Sequence, residues 1–233
     1  MNFWDENAFD YDRRHEAPRT LYLRKIERKF LKYCFGKIAD LGCGTGWLSL
    51  LLAKKGFPVY CFDSSTEMLK ILKEKADREG VKLNIVNHDC TKPFAKQFMN
   101  YFDTVISFLS FLNYVKDYKK TLENMMKILK NKAMIILSVA TTNETKGKEK
   151  TIVTNKKKIK IYGINVDELS SFLEKFGFKL IKSRFLFALT DPKWNSFEKI
   201  NLKEKLLLFL ERFQTRKMKE KARIAILAFR RCR

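Results

Sequence analysis

The stretch Ile38-Ala39-Asp40-Leu41-Gly42-Cys43-Gly44-Thr45-Gly46 decides how this chain folds. Its first four residues, apolar except for Asp40, read as a short buried strand that runs straight into a turn built on three glycines. Trp47 to Lys55 then reads as a helix, closed by Gly56. Glycines between a strand and a helix accept positive φ and let a ligand approach the backbone, while the helix start offers free N–H groups. Two ligand classes are excluded by spacing. A dinucleotide turn, G-x-G-x-x-G, needs glycine where Trp47 stands, and a phosphate loop needs Gly-Lys-Ser/Thr, which this turn lacks. What remains is an acid two places before a G-x-G-x-G turn, which suits a ligand with a cationic amino-acid end.

Upstream, Leu23, Ile26, Phe30, Leu31 and Cys34 recur at helical spacing between Pro18 and Phe35, with Lys and Arg on the other face and Gly36 as the stop. Residues 1–18 show no clear periodicity and hold a polar cluster from Tyr11 to Glu16. Downstream, Val59–Phe62 reads as a second strand ending at Asp63. Ser64 and Glu67 form an S-x-x-E capping box for a helix faced by Met68, Leu69, Leu72 and Ala76. A third strand, Leu83–Val86, leads to His88-Asp89, a fourth covers Thr104–Ile106 with Asp103 at its mouth, and Met134–Leu137 follows a helix marked by Leu122, Met125, Met126 and Leu129. Strands that are continuously apolar and alternate with helices predict a parallel sheet covered on both faces.

After Val139 the pattern changes. Residues 141–163, with the run Lys156-Lys157-Lys158, read as a loop or an exposed hairpin. Asp167 is expected to cap a helix through Leu169, Phe172, Leu173 and Phe176, ended by Gly177; strands are expected at Phe178–Leu189 and Ile224–Phe229. Between these strands, residues 190–222 read as a helical insertion in a terminal antiparallel hairpin. Its amphipathic helix carries Leu202, Leu206, Phe209, Leu210 and Phe213 on one face, expected to pack over the pocket as a lid; a membrane-surface role is the lesser reading. The chain thus reads as one α/β domain over 1–233: a cap segment and helix (1–35), a core (36–140) and an acceptor-side part (141–233).

Composition agrees with a globular chain. Of 233 residues 45% are hydrophobic, and 20 are Phe, which excludes disorder. Five cysteines, odd in number and never C-x-x-C, exclude a disulfide framework or zinc ribbon, and no metal site is expected. The acidic opening Met-Asn-Phe-Trp-Asp-Glu is unlike a secretory signal, and no apolar run reaches the roughly 18 residues of a membrane span, so the sequence reads as cytoplasmic. Net charge is +22, of which residues 141–233 hold +14. Such a surface draws nucleic acid, acidic lipid or a phosphorylated molecule, although 35 Lys against 13 Arg also fits simple lysine enrichment.

The strand and turn at 38–46 resemble the first motif of the class I methyltransferases that use S-adenosylmethionine (SAM). The spacing extends the likeness: Asp63 matches the acid that holds both ribose hydroxyls, Asp89 the acceptor of the adenine amino group, Phe102-Asp103-Thr104-Val105-Ile106-Ser107 the fourth motif, and Phe176-Gly177-Phe178 the late one. The resemblance implies a Rossmann-like, doubly wound, mostly parallel seven-stranded sheet with a C-terminal antiparallel hairpin, SAM as cofactor, and a site at the carboxyl ends of the first two strands, taken as the switch point of the sheet. It implies cofactor contacts from Tyr11, Asp40, Gly42, Cys43, Gly44, Asp63, Ser64, Met68, Asp89, Cys90 and Ser107. Tyr11, Arg14 and Arg19 are its candidates for the SAM carboxylate, because this family often folds a leading segment over the cofactor. No side chain is singled out as a catalytic base, since displacement at a sulfonium methyl mainly needs alignment and exclusion of water. Ser107-Phe108-Leu109-Ser110 departs from the Asn/Asp-Pro-Pro-Tyr/Phe of amino-methylating nucleic-acid enzymes, which favours a small-molecule acceptor; RNA, through the basic C-terminal part, is the alternative acceptor or partner.

Overall fold

The computed structural model describes residues 3–108, 111–145, 149–154, 157–187 and 199–232. It begins with two helices, α1 (Phe3–Arg14) and α2 (Pro18–Glu27), the latter continuing as a 3-10 turn over Arg28–Tyr33. Strand β1 (Ile38–Leu41), α3 (Trp47–Lys54), β2 (Val59–Asp63), α4 (Thr66–Glu79), β3 (Asn84–Asn87), β4 (Phe102–Ser107), α5 (Tyr118–Lys127) and β5 (Leu129–Ala140) form the core. Then come the single turn α6 (Thr142–Thr145), the strands β6 (Glu149–Thr154) and β7 (Lys157–Tyr162), α7 (Val166–Lys175), β8 (Phe178–Leu186), α8 (Leu202–Leu210), α9 (Arg216–Lys221) and β9 (Ile224–Arg231).

Seven strands make one sheet in the order β3-β2-β1-β4-β5-β9-β8. The first five are parallel, and β9 runs antiparallel between β5 and β8. Every β1 side chain is buried, so this strand reads as an apolar run rather than an alternation. Its odd and even residues feed two cores, one on each face of the sheet. Ile38 packs with Leu52, Val59, Leu72 and Ile136 on one side; Ala39 and Leu41 pack with Phe62, Phe102, Leu122 and Phe229 on the other. The strand order reverses between β1 and β4, which moves the switch point from the β1–β2 position expected of the sequence.

Several local expectations are corrected. Residues 3–14 form a helix although they show no apolar period, because α1 is fastened by polar contacts and buries only Asn7 and Ala8. Ser65, not Ser64, caps α4, its Oγ accepting from the Met68 N–H, and Asn165, not Asp167, caps α7. Glu149–Thr154 and Lys157–Tyr162 pair antiparallel as β6 and β7, apart from the main sheet. The largest departure is α8. Leu202, Leu206, Leu210 and Phe213 are exposed and form no lid over the pocket, while Leu208 is the buried residue of the helix. The reason is electrostatic: the inner side of this segment carries acids that find partners, Glu204 accepting from Arg19 Nη2 at 2.5 Å and Glu211 from the Phe187 N–H at 3.0 Å. Lys156, residues 190–198 of the expected insertion and the Leu109-Ser110 step lie outside the described residues.

Candidate active site

The turn after β1 forms the floor of a cavity of about 210 Å³ at the carboxyl ends of β1 to β4. Gly42 and Gly46 adopt left-handed φ of 70° and 79°. A Cβ on Gly42 would stand 2.7 Å from the Phe111 ring, and one on Gly46 would stand 2.0 Å from Leu72 Cδ1. Both positions therefore need glycine twice over, for the backbone and for the space. Beneath the turn, Asp40 is buried and accepts from Ser49 Oγ at 2.6 Å. Burial pushes its carboxyl up to about 7, the nearby Asp63 adding to the shift and the Ser49 hydroxyl opposing it.

Asp63 closes β2 and ties the turn to the next helix. One carboxylate oxygen accepts the Gly44 N–H at 2.8 Å and the other accepts the Ser65 N–H at 2.9 Å. Burial raises its pKa, against those backbone bonds. The Ser64 N–H adds a third backbone bond, so of about four acceptor positions on a carboxylate most are already taken by the turn. Ser64 and Met68 at the start of α4 also line it, as do His88, Cys90 and Thr91 after β3.

Helix α1 is the roof. Trp4 and Tyr11 face the cavity, and Trp4 meets Tyr114 edge-on with centroids 4.7 Å apart. Two clasps hold the helix. Asp5 accepts from Ser65 Oγ at 2.7 Å and from the Glu67 N–H at 3.3 Å; Asp12 accepts from Thr45 Oγ1 at 2.7 Å and pairs with Lys75. Partial burial disfavours the Asp12 charge, yet the Lys75 and Thr45 bonds outweigh it and hold its carboxyl below the usual range. His15 lies against Tyr11, and burial drops its ring to about 4 despite a 2.7 Å contact with the Tyr11 carbonyl. On the far wall, Asn113 bonds the backbone of Ala140 and Tyr162, which fixes the turn that presents Phe111 and Tyr114.

Of the sequence candidates, Tyr11, Asp40, Gly42, Cys43, Gly44, Asp63, Ser64, Met68 and Cys90 come together around this cavity. Asp89 and Ser107 are not among its lining residues. Asp89 is exposed, and its carboxylate accepts from the backbone and hydroxyl of Thr91, closing its own turn; Ser107 Oγ is buried at the end of β4 without a partner. Burial raises the thiols of Cys43 and Cys90, so neither is a ready nucleophile. Arg14 bonds the Asn7 carbonyl and Arg19 bonds Glu204, each outside the cavity lining.

Sequence reasoning missed Arg24, which sat on the supposed basic face of its helix. Its guanidinium lies 5.0 Å over the Trp47 ring, and Nε and Nη2 are buried without hydrogen-bond partners. The signal was positional: Arg24 lies between the buried Leu23 and Glu27. Two buried donors of a permanent cation aimed into a cavity fit an anionic group of a ligand. His88 Nε2 is a second orphan on the same wall. The cavity wall thus combines the acids Asp40 and Asp63 with the buried donors of Arg24.

A mostly parallel sheet ordered 3-2-1-4-5 and completed by an antiparallel strand, with a ligand cavity over the first glycine turn, is the Rossmann-like methyltransferase fold. Comparison with known proteins agrees. Residues 38–132 match the family model for a methyltransferase domain. A protein of Geobacillus sp. (strain WCH70), provisionally named a methyltransferase, is 30% identical over 146 residues, 60% of this chain and 58% of that one. The glycine/sarcosine N-methyltransferase of Aphanothece halophytica is 27% identical over 137 residues, 58% of this chain and 49% of the enzyme. The chain thus spans about half the length of these curated relatives. A crystal structure of a SAM-dependent methyltransferase from Clostridium acetobutylicum superposes with a TM-score of 0.65 at 15% identity, over 98% of this chain and 99% of the other. Residues 38–132 thus resemble a methyltransferase domain, and the chain as a whole has the fold of the SAM-dependent methyltransferases.

Proposed function

We propose that the protein transfers the methyl group of SAM to a small-molecule acceptor. The observation that supports this most is the small size and aromatic wall of the site: a cavity of about 210 Å³ roofed by α1 and lined by Trp4, Phe111 and Tyr114. That is below the usual ~300–1,000 Å³ of a drug-sized pocket, so little room remains for an acceptor beside the cofactor. A glycine/sarcosine N-methyltransferase and ubiquinone-biosynthesis O-methyltransferases among the relatives point the same way.

In this reading Asp63, which lines the cavity wall, accepts from the ribose hydroxyls. Arg24 takes the carboxylate and Asp40 the ammonium of the amino-acid end, while Met68, His88, Cys90 and Thr91 flank the base. Asp89 serves its own turn. Bound SAM supplies an electrophilic methyl on a good leaving group. The chain's part is to hold the acceptor in line and keep water out, which the aromatic wall and the α1 roof both do. Among the described residues the cavity holds no nucleophile–base pair, in keeping with an acceptor that arrives with its lone pair free.

Labelled methyl transfer from SAM into fractionated cell extract tests the reading. Label in the small-molecule fraction is expected; label that remains with RNA, and is released by ribonuclease, overturns it.

A further inference from the structure

Helix α8 and the turn after it are built inside out. Their acids face the protein, Glu204 on Arg19 and Glu211 on the Phe187 N–H, with Leu208 between them. Their large apolar side chains face away, with Leu202 84%, Leu206 58% and Phe213 70% exposed and Leu210 beside them. These residues fall at i, i+4, i+8 and i+11, one stripe of a helix. Lys203 and Lys205 stand beside the stripe on α8, and Lys217 and Lys221 follow on α9, all exposed and in no ion pair among the described residues.

The basic surround continues past the end of the stripe. Gln214, next in the chain after Phe213, is one wall of a second cavity of about 490 Å³, open between the α2 side of the molecule and β8. Lys25, Lys29, Lys32, Lys182 and Arg184 line it, and no acid does. Lys25, Lys29, Lys32 and Lys182 make no ion pair among the described residues. These four lysines, held together without an ion pair among the described residues, repel one another, and a surface anion relieves that repulsion.

We propose that this face docks the protein on an anionic lipid bilayer, the α8 stripe entering the headgroup boundary and the lysine-lined cavity taking lipid phosphates. An apolar stripe flanked by lysines is the pattern of an interfacial helix. Charge and apolar area select the occupant. A second copy of this chain brings another +22 to the contact, and a nucleic acid, although its unpaired bases can stack on Phe213, gives the aliphatic side chains of Leu202, Leu206 and Leu210 nothing to enter. No helix among the described residues is long and apolar enough to cross a membrane, so the attachment is peripheral. The proposal goes beyond the methyl-transfer reading and does not depend on the acceptor.

Co-sedimentation with vesicles tests it. The protein should pellet with phosphatidylcholine vesicles that carry phosphatidylglycerol, hardly at all with phosphatidylcholine alone, and less as salt rises. Leu206→Glu/Phe213→Glu should weaken anionic-vesicle binding at least about tenfold, with SAM affinity by calorimetry unchanged. Lys25→Gln/Lys29→Gln/Lys32→Gln should weaken it and flatten its salt dependence. If the double Glu variant loses SAM binding, and so its fold, Leu202→Ser at the most exposed position takes its place. Failure of the parent to bind anionic vesicles overturns the proposal, as does undiminished binding by the stripe variants. Binding of oligouridine RNA in place of vesicles also overturns it. SAM binding and methyl transfer, measured on the same samples, keep these outcomes separate from any failure of the enzymatic reading.

Discussion

Asp40 keeps an ionisable carboxyl where burial favours its neutral form, so its proton is linked to folding. The folded group titrates near 7, above the usual ~3.9 of an unfolded aspartate. Between those values the folded protein holds a proton that the unfolded chain gives up, so stability without ligand should fall as pH rises from about 4 to about 7 and then level off. In urea melts at several pH values, Asp40→Asn should flatten this decline; an unchanged profile would remove Asp40 as its source. Asp63→Ala should lose its charge-assisted bonding to the ribose and weaken SAM at least about tenfold by calorimetry, and unchanged affinity would sink the assignment. Arg24→Met gives the opposite pairing of effects. SAM affinity should drop about tenfold, yet the melting temperature should hold or rise, because a buried guanidinium with two unsatisfied nitrogens is costly without a ligand. The glycine turn and both of these acids were legible because their chemistry is local. The contribution of the third strand was not: Asp89 has the expected spacing, but Thr91 two residues on captures its carboxylate and leaves His88 facing the cavity.

Helix α1 is held to the core largely by polar contacts. Asp12 joins it to Thr45 in the glycine turn and to Lys75 on α4, so Asp12→Ala should loosen the roof. Hydrogen exchange of residues 3–14 should then quicken, and SAM should leave faster in stopped-flow, while the core amides keep their protection. Identical exchange in the variant would mean that the Asp5 clasp suffices. Gly46→Ala probes the floor instead: the left-handed φ and the overlap with buried Leu72 should cost ~2 kcal/mol in a urea melt. Strands β1 to β5 were readable from continuous apolar runs that end in turn residues. Helix α1 was not, because a helix held by carboxylates to other elements leaves no apolar period. Helix α8 was read correctly as amphipathic and wrongly as to which side faces in. Periodicity gives the stripe, whereas the orientation was set by Arg19 and the Phe187 N–H, distant in sequence.

Across the whole molecule the charge of +22 opposes compactness. Raising salt from low to physiological levels should screen that repulsion and lift the melting temperature by about 2–4 °C, the change ~1 kcal/mol brings in a chain this size. A flat response would mean that screening of the ion pairs cancels it. Composition showed the excess and its weighting toward residues 141–233. It did not show that Lys25, Lys29 and Lys32 of the first part meet Lys182 and Arg184 of the last, which only the fold brings about. The placement of β9 also shapes how the protein is made. This strand pairs with β5 through seven residues and with β8 on its other edge, yet both partners precede it in the chain. As the ribosome extends the polypeptide, β5 therefore emerges with an apolar edge that stays open until the chain passes Ile224, and β8 has no strand to join. Nascent chains halted before that point should be the ones that chaperones hold and that aggregate when chaperones are scarce.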